Sequence, residues 1–307
     1  QHDPFGGVND GEVLWGRGAV DMKGAIAAFV SAVSSYLVGG NNSDKNRGSI
    51  SFLITGDEEG VAINGTRKML DWLRKEGETI DDCLVGEPTN PETLGEMIKI
   101  GRRGSVNVVL KMRGKEGHVA YPHLAQNPIA ALLAVLTALN NTPLDEGNEH
   151  FQASHLEITT IDIGNETTNV IPASASARFN IRYNNEYNKE RIEEWVQNIL
   201  DAHTPEGVAC VPTFTHSGDA FLTPLNLKET NNLTQHLRAA IESVTGRIPE
   251  LSTSGGTSDA RFIKDSARVV EFGLISQTMH KTDECVRLDD LRNLTKIYEM
   301  LLENYFS

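Results

Sequence analysis

The chain has 307 residues, and its 42 Asp and Glu outweigh 28 Lys and Arg to leave a net charge of −14. That balance argues against a nucleic-acid partner, because holding phosphate needs a basic footprint. No apolar run approaches the roughly 20 residues that span a bilayer, and the polar start, Gln1 to Gly7, lacks both the basic and the apolar region of a signal peptide.

In chain order, the first third reads as α/β. Ile26, Phe29, Val30, Val33 and Leu37 share one face of a helix over Met22 to Leu37. Gly39 and Gly40 end that helix, and a polar loop, Asn41 to Gly48, follows. Ser49 to Thr55 is almost continuously apolar, as in a buried strand. A helix over Thr66 to Lys75 and a short strand over Asp82 to Val85 come next.

The middle third changes character. Val106, Val108, Leu110 and Met112 alternate as a strand. Asn127-Pro128 has the cap and first-turn proline of a helix running to about Leu139. Alternating strands over Leu156 to Ile163 and around Ala177 to Tyr183, a helix marked by Ile192, Trp195, Val196 and Ile199, and a strand over Val208 to Thr215 complete a βαββαβ order, the ferredoxin-like arrangement. The last third returns to α/β: a helix over Lys228 to Thr245, a Gly/Ser-rich loop over Ser252 to Ser258, a strand over Val269 to Phe272 and an amphipathic helix over Leu288 to Tyr305. The expected fold class is α/β, a mixed-sheet domain (1–103 and 220–307) with an inserted α+β ferredoxin-like domain (104–219).

Three cysteines, Cys83, Cys210 and Cys285, form no Cys-x-x-Cys pair. Their number argues against a cysteine zinc site and for free thiols in a reducing compartment, the cytoplasm.

Four loops carry the chemistry. In Gly16–Gly24, two glycines allow close backbone approach and Asp21 stands at a helix start, where it could equally be an N-cap. Thr55–Gly60 sets three acids side by side, either a solvated loop or carboxylates with separate tasks, one on a metal and one as a base. Glu87 follows an apolar run, and His280 carries the commonest zinc-binding side chain, although a lone acid or His is ordinarily structural. Together they offer Asp21, Glu59, Glu87 and His280 as ligands and Glu58 as base, a carboxylate-rich set suited to two divalent ions. On one strand, Arg178 and Arg182 project from the face opposite Phe179 and Ile181, and a guanidinium suits a carboxylate.

The strings GRGAVDMKG, TGDEEG, VGEPT, RRGS, GHVAYPHLAQNP, TNVIP, SGGTSDARFI and MHKTDE resemble those of the zinc-dependent aminoacylase/carboxypeptidase family, and within it the succinyl-diaminopimelate desuccinylase branch. The resemblance implies two zinc ions per parent subunit, with cobalt as an alternative ion. Asp21 would bridge them, Glu59 and His280 would hold one and Glu87 the other, and Glu58 would act as general base and acid. It implies that His118 stabilises an oxyanion from the partner subunit, that Tyr121, Asn169, Ser217, Gly256 and Thr257 touch substrate, and that Arg182, with Arg102 or Arg103 beside it, meets a substrate carboxylate. It also implies a homodimer formed through the inserted domain, and hydrolysis of N-succinyl-LL-2,6-diaminopimelate to succinate and LL-diaminopimelate.

The family's His-x-Asp motif, which supplies a further zinc ligand, lies further upstream than the twenty residues that precede Asp21 here, and His2-Asp3 does not match it. The expectation is a chain lacking its N-terminal segment, with one complete ligand set (Asp21, Glu59, His280), one deficient set (Asp21, Glu87), and little activity of its own. The alternatives are an acetylornithine deacetylase-like or other family amidohydrolase, and a non-catalytic dimerising module.

Overall fold

The computed structural model describes residues 2–38, 48–60, 62–224 and 232–307. The chain divides into two compact units, the first made of Gln1–Gly101, Leu222–Thr253 and Ser258–Ser307, the second of Arg102–Phe221 and Ser254–Thr257. The sequence places the inserted part as one continuous stretch. The Gly-rich tetrapeptide Ser254–Thr257 belongs with it in space although it comes later in the chain.

In the first unit, β3 (Asp82–Val85), β4 (Met97–Lys99), β13 (Glu250–Ser252) and β14 (Arg268–Glu271) form a mixed sheet in the order β13-β4-β14-β3. Its outer pairs are parallel and its central pair antiparallel. A second, antiparallel sheet joins β1 (Val8–Asn9), β2 (Val13–Trp15) and β15 (Cys285–Arg287). The helices are α1 (Lys23–Val38), α2 (Thr66–Glu76), α5 (Leu233–Thr245), the single turn α6 (Ala260–Ile263) and α7 (Leu288–Tyr305). The core brings Ala25, Ala28 and Ala32 of α1 and Ile297 and Leu301 of α7 together with Ile98, Val270 and Phe272. No helix among the described residues is long and apolar enough to cross a membrane.

Two expectations fail here. Residues 49–55 lie in no strand, and Phe52 and Ile54 are 43% and 56% exposed. A strand exists only through its ladder, and none of the described strands pairs with this run. The buried stripe of α1 also differs from the large-residue face: Gly24, Ala25, Ala28, Ala32 and Tyr36 are buried, whereas Val30 and Leu37 are more than half exposed. Small side chains let α1 approach α7 closely, and the Phe29 ring stacks on Tyr298 with centroids 3.8 Å apart. The proposed helix ending at Gly39 and Gly40, and the loop over 41–47, lie outside the described residues, as do residues 228–231 of the expected fifth helix. That helix is seen from Leu233, with the Asn232 side chain accepting from the Thr234 amide at 3.0 Å.

In the second unit, β6 (Gly104–Arg113), β8 (His155–Asp162), β10 (Ser174–Tyr183) and β11 (Ala209–Gly218) form an antiparallel sheet in the order β11-β6-β10-β8. With α3 (Pro128–Asn141) and α4 (Lys189–His203) this is the βαββαβ order read from the alternation. Val106, Val108, Leu110 and Met112 point into a core with Leu132, Val135, Phe179, Ile181, Ile192 and Val196. The short strands β7 (Gly117–His118) and β9 (Val170–Ile171) pair beside it. The strands β5 (Gly101–Arg102) and β12 (Phe221–Leu222) fall where the chain passes from one unit to the other.

Helix α3 begins as the sequence suggests: Asn127 accepts from the Ile129 amide at 2.9 Å, and Pro128 occupies the first turn. Asn127→Ala is therefore expected to cost about 1 kcal/mol, read as a lower urea midpoint with an unchanged slope.

Candidate metal centre and active site

Asp21 ends the segment that joins β2 to α1. Gly18 has φ +80°, and a Cβ there would sit 2.5 Å from the Lys23 side chain. A Cβ on Gly24 would meet the Ala19 carbonyl oxygen at 2.3 Å. Both glycines are thus required for the turn that delivers Asp21, whose side chain is 11% exposed. Burial and the Glu59 carboxylate raise the Asp21 pKa above its ordinary value, with His280 opposing.

The three adjacent acids have three different environments. Asp57 accepts from the amides of Ile63 and Asn64 at 2.9 and 3.0 Å and so folds its own loop. Glu59 points to His280. Glu58 is half-buried; burial, then the neighbouring charges of Asp259, Glu59 and Asp21, push its pKa to about 7, with Arg261 pulling the other way. A carboxyl poised near neutrality can both take and return a proton.

His280 Nε2 lies 3.0 Å from Asp21 Oδ2 and 3.0 Å from Glu59 Oε1. The hydrogen bond to Glu59 raises the imidazole pKa, with both carboxylates adding to it against desolvation. Among the described residues these three form a group whose ligand atoms all fall within 4.8 Å of one another. Donors bound to one tetrahedral zinc at 2.0–2.1 Å stand roughly 3.3 Å apart, so two acids and an imidazole at these separations fit a divalent ion. Glu87 follows β3 and is not a member of that group of three.

In the second unit, the amide of Val119 donates to the Asn169 carbonyl at 3.1 Å, which brings Asn169 beside the turn that carries His118 and Tyr121. His118 Nδ1 accepts from the Ala120 amide at 3.0 Å, so the neutral ring carries its proton on Nε2 and donates from there. The His118 and Tyr121 rings are 5.9 Å apart. Arg182 pairs across the sheet with Ser105 and His155; burial, and the Arg103 charge beside it, lower its pKa, and its buried Nη1 has no protein partner. A dry, unsatisfied guanidinium nitrogen is costly alone and favours an anionic ligand. Arg178, on the same strand, is exposed. Arg102 is buried and donates to the carbonyls of Ser254 and Gly256 at 3.4 and 3.1 Å, which ties it to the Gly-rich loop that also holds Thr257. Ser217 sits at the register shift between His216 and Gly218 near the end of β11.

Sequence reasoning passed over Asp57, Asp259, Arg261 and Glu284. Asp259 accepts from the Thr66 hydroxyl at 2.6 Å and borders Glu58. All four lie in or beside the quoted motifs, and the signal was there: charged residues next to a presumed base or ligand.

The chain belongs to the peptidase family M20/M25/M40, whose model matches residues 1–304. It is 54% identical over 306 residues to a succinyl-diaminopimelate desuccinylase of Rhodospirillum centenum, covering 99% of this chain and 76% of that one. A second protein of the same name, from Methylorubrum extorquens, is 51% identical over 310 residues, covering 99% of this chain and 78% of the relative. Among solved structures, the aminopeptidase PepT of Bacillus cereus is similar with a TM-score of 0.77 at 20% identity, covering 98% of this chain and 76% of that chain. The YXEP protein of Bacillus subtilis, described as a dinuclear metal-binding peptidase of the M20 family, matches with a TM-score of 0.61 at 15% identity over 91% of this chain and 70% of its own.

Proposed function

We propose that the protein to which this chain belongs is a metal-dependent amidohydrolase that cleaves N-succinyl-LL-2,6-diaminopimelate to succinate and LL-diaminopimelate, a step of diaminopimelate and lysine biosynthesis. The observation that carries it is the convergence of Asp21, Glu59 and His280 next to a Glu58 poised near neutral pH; relatives named succinyl-diaminopimelate desuccinylase at 50–54% identity support the substrate.

Asp21, Glu59 and His280 would hold one ion, and Asp21 with Glu87 would take part in holding a second. Zinc is the ion this acid-and-imidazole set suits, with cobalt as an alternative. When bound, the ions polarise the amide carbonyl and acidify water. Glu58 accepts a proton from the attacking water as its oxygen bonds to the succinyl carbonyl carbon. His118 donates its Nε2–H to the oxyanion that develops. Glu58 then delivers the proton to the amine nitrogen as the C–N bond breaks, which releases the diaminopimelate amine and succinate. Arg182 takes a substrate carboxylate, with Arg102 beside it, and Tyr121, Asn169, Ser217, Gly256 and Thr257 are further substrate contacts. His118 serves from the partner subunit of a homodimer built through the second unit, and the three free cysteines suit the cytoplasm.

The test is a paired assay of the zinc-loaded enzyme on N-succinyl-diaminopimelate and N-acetylornithine. The succinyl substrate is expected to be preferred by at least about 100-fold in kcat/KM, and Arg182→Met to erase most of that preference by raising KM. Equal or reversed preference would assign the chain to an acetyl-removing or peptide-cleaving member of the family.

A further inference from the structure

We infer that Glu284 is a positioning residue of the metal centre: its buried carboxylate clamps the Asp21 segment to the segment that carries His280. The inference rests on the metal-centre reading above. Glu284 is 3% exposed, and both its oxygens are used. Oε1 accepts from the amides of Val20 and Asp21 at 2.9 and 3.1 Å. Oε2 accepts from the Gly18 amide at 3.1 Å and from Arg17 Nη1 at 2.8 Å. Its backbone carbonyl takes the Gly16 amide at 2.9 Å, and Arg17 Nη2 reaches the Lys281 carbonyl at 3.1 Å.

Residues 16–21 are therefore wrapped around one carboxylate, and the last donor in the wrap is the amide of a metal ligand. Asp21 and Glu284 are 263 positions apart in sequence, yet four residues before Glu284 stands His280, whose Nε2 touches Asp21 Oδ2. Residues 280–284 carry two non-glycine residues at positive φ, His280 at +58° and Asp283 at +59°. Such a backbone depends on its surroundings, and the Glu284 clamp stands directly after Asp283 as one of its fixed points. A buried charge with four donors is fully compensated. With one oxygen replaced by an amide nitrogen, an N–H is set against other N–H groups. The Asp21 carboxylate then loses its fixed distance to His280.

The experiment is a zinc titration by calorimetry of metal-stripped wild type, Glu284→Gln and Glu284→Asp, each with thermal unfolding of the metal-free form. Glu284→Gln is expected to weaken zinc binding at least about tenfold, as loss of an outer-shell partner does, while remaining folded by circular dichroism. Glu284→Asp keeps the charge but withdraws it by one methylene, and its affinity should fall between the two. A residue that merely glues a loop would lower Tm and leave the zinc Kd of the folded protein unchanged; that result in Glu284→Gln, or in Glu284→Asp should the Gln variant not fold, overturns the inference. A wild type that binds no zinc would instead defeat the metal-centre reading itself.

Discussion

Glu58→Gln is expected to lower kcat by about 10²–10⁴-fold while zinc stays bound, the loss typical when a positioned acid–base group is removed. The substitution keeps shape and hydrogen-bonding reach but removes the exchangeable proton. Since Glu58 is outside the group of Asp21, Glu59 and His280, metal content measured by atomic absorption should match wild type, and KM should change little. A variant that turns over within a few-fold of wild type would remove Glu58 from the mechanism.

The same residue has a stability signature in the metal-free protein. Its folded pKa of about 7 lies above the ordinary 4.5. Between those values the folded state binds more protons than the unfolded one, so its contribution is fully present below about pH 4.5 and is lost as pH rises through 7. Glu58→Gln should flatten that decline in Tm between pH 4.5 and 7, and an unaltered slope would show that other groups cause it.

His280→Ala is expected to weaken zinc binding by more than about 100-fold, beyond the 10–100-fold typical of losing an outer-shell partner. It deletes the one neutral donor and leaves Asp21 and Glu59 facing each other, a pair already in repulsion. In the metal-free protein the imidazole is their shared cationic partner. Its pKa is raised on folding, so its contribution is present below about pH 6.5 and lost as pH rises through the higher folded value. His280→Ala should therefore cost metal-free stability at pH 6 and less at pH 8. Calorimetric titration and pH-dependent melting read the two effects separately, and a variant that binds zinc as wild type does would exclude His280 from the centre.

The second unit was the more legible part of the fold. Strands such as Val106 to Met112 bury one face, and their alternation is written locally; the Asn127-Pro128 helix start is equally local. The first unit was less so. Ser49–Thr55 has the composition of a buried strand, but a ladder partner is a property of other segments, and the described ones supply none. The buried stripe of α1 follows its small residues because α7 lies close, which no periodicity within α1 reveals.

The site divides in the same way. Which side chains can bind a cation or carry a proton is a matter of residue type, and Asp21, Glu58, Glu59, Glu87 and His280 were nameable from the motifs alone. That Asp57 is spent on two backbone amides, Glu59 on an imidazole and Glu58 on a half-buried corner beside Asp259 was decided by tertiary contacts. So was the use of Glu284, an acid indistinguishable in sequence from the half-buried Asp283 beside it, as the buried tie between the Asp21 and His280 segments. Chemistry belongs to the residue, but a pKa, a ligand distance and a clamp depend on what the rest of the chain brings within a few ångströms.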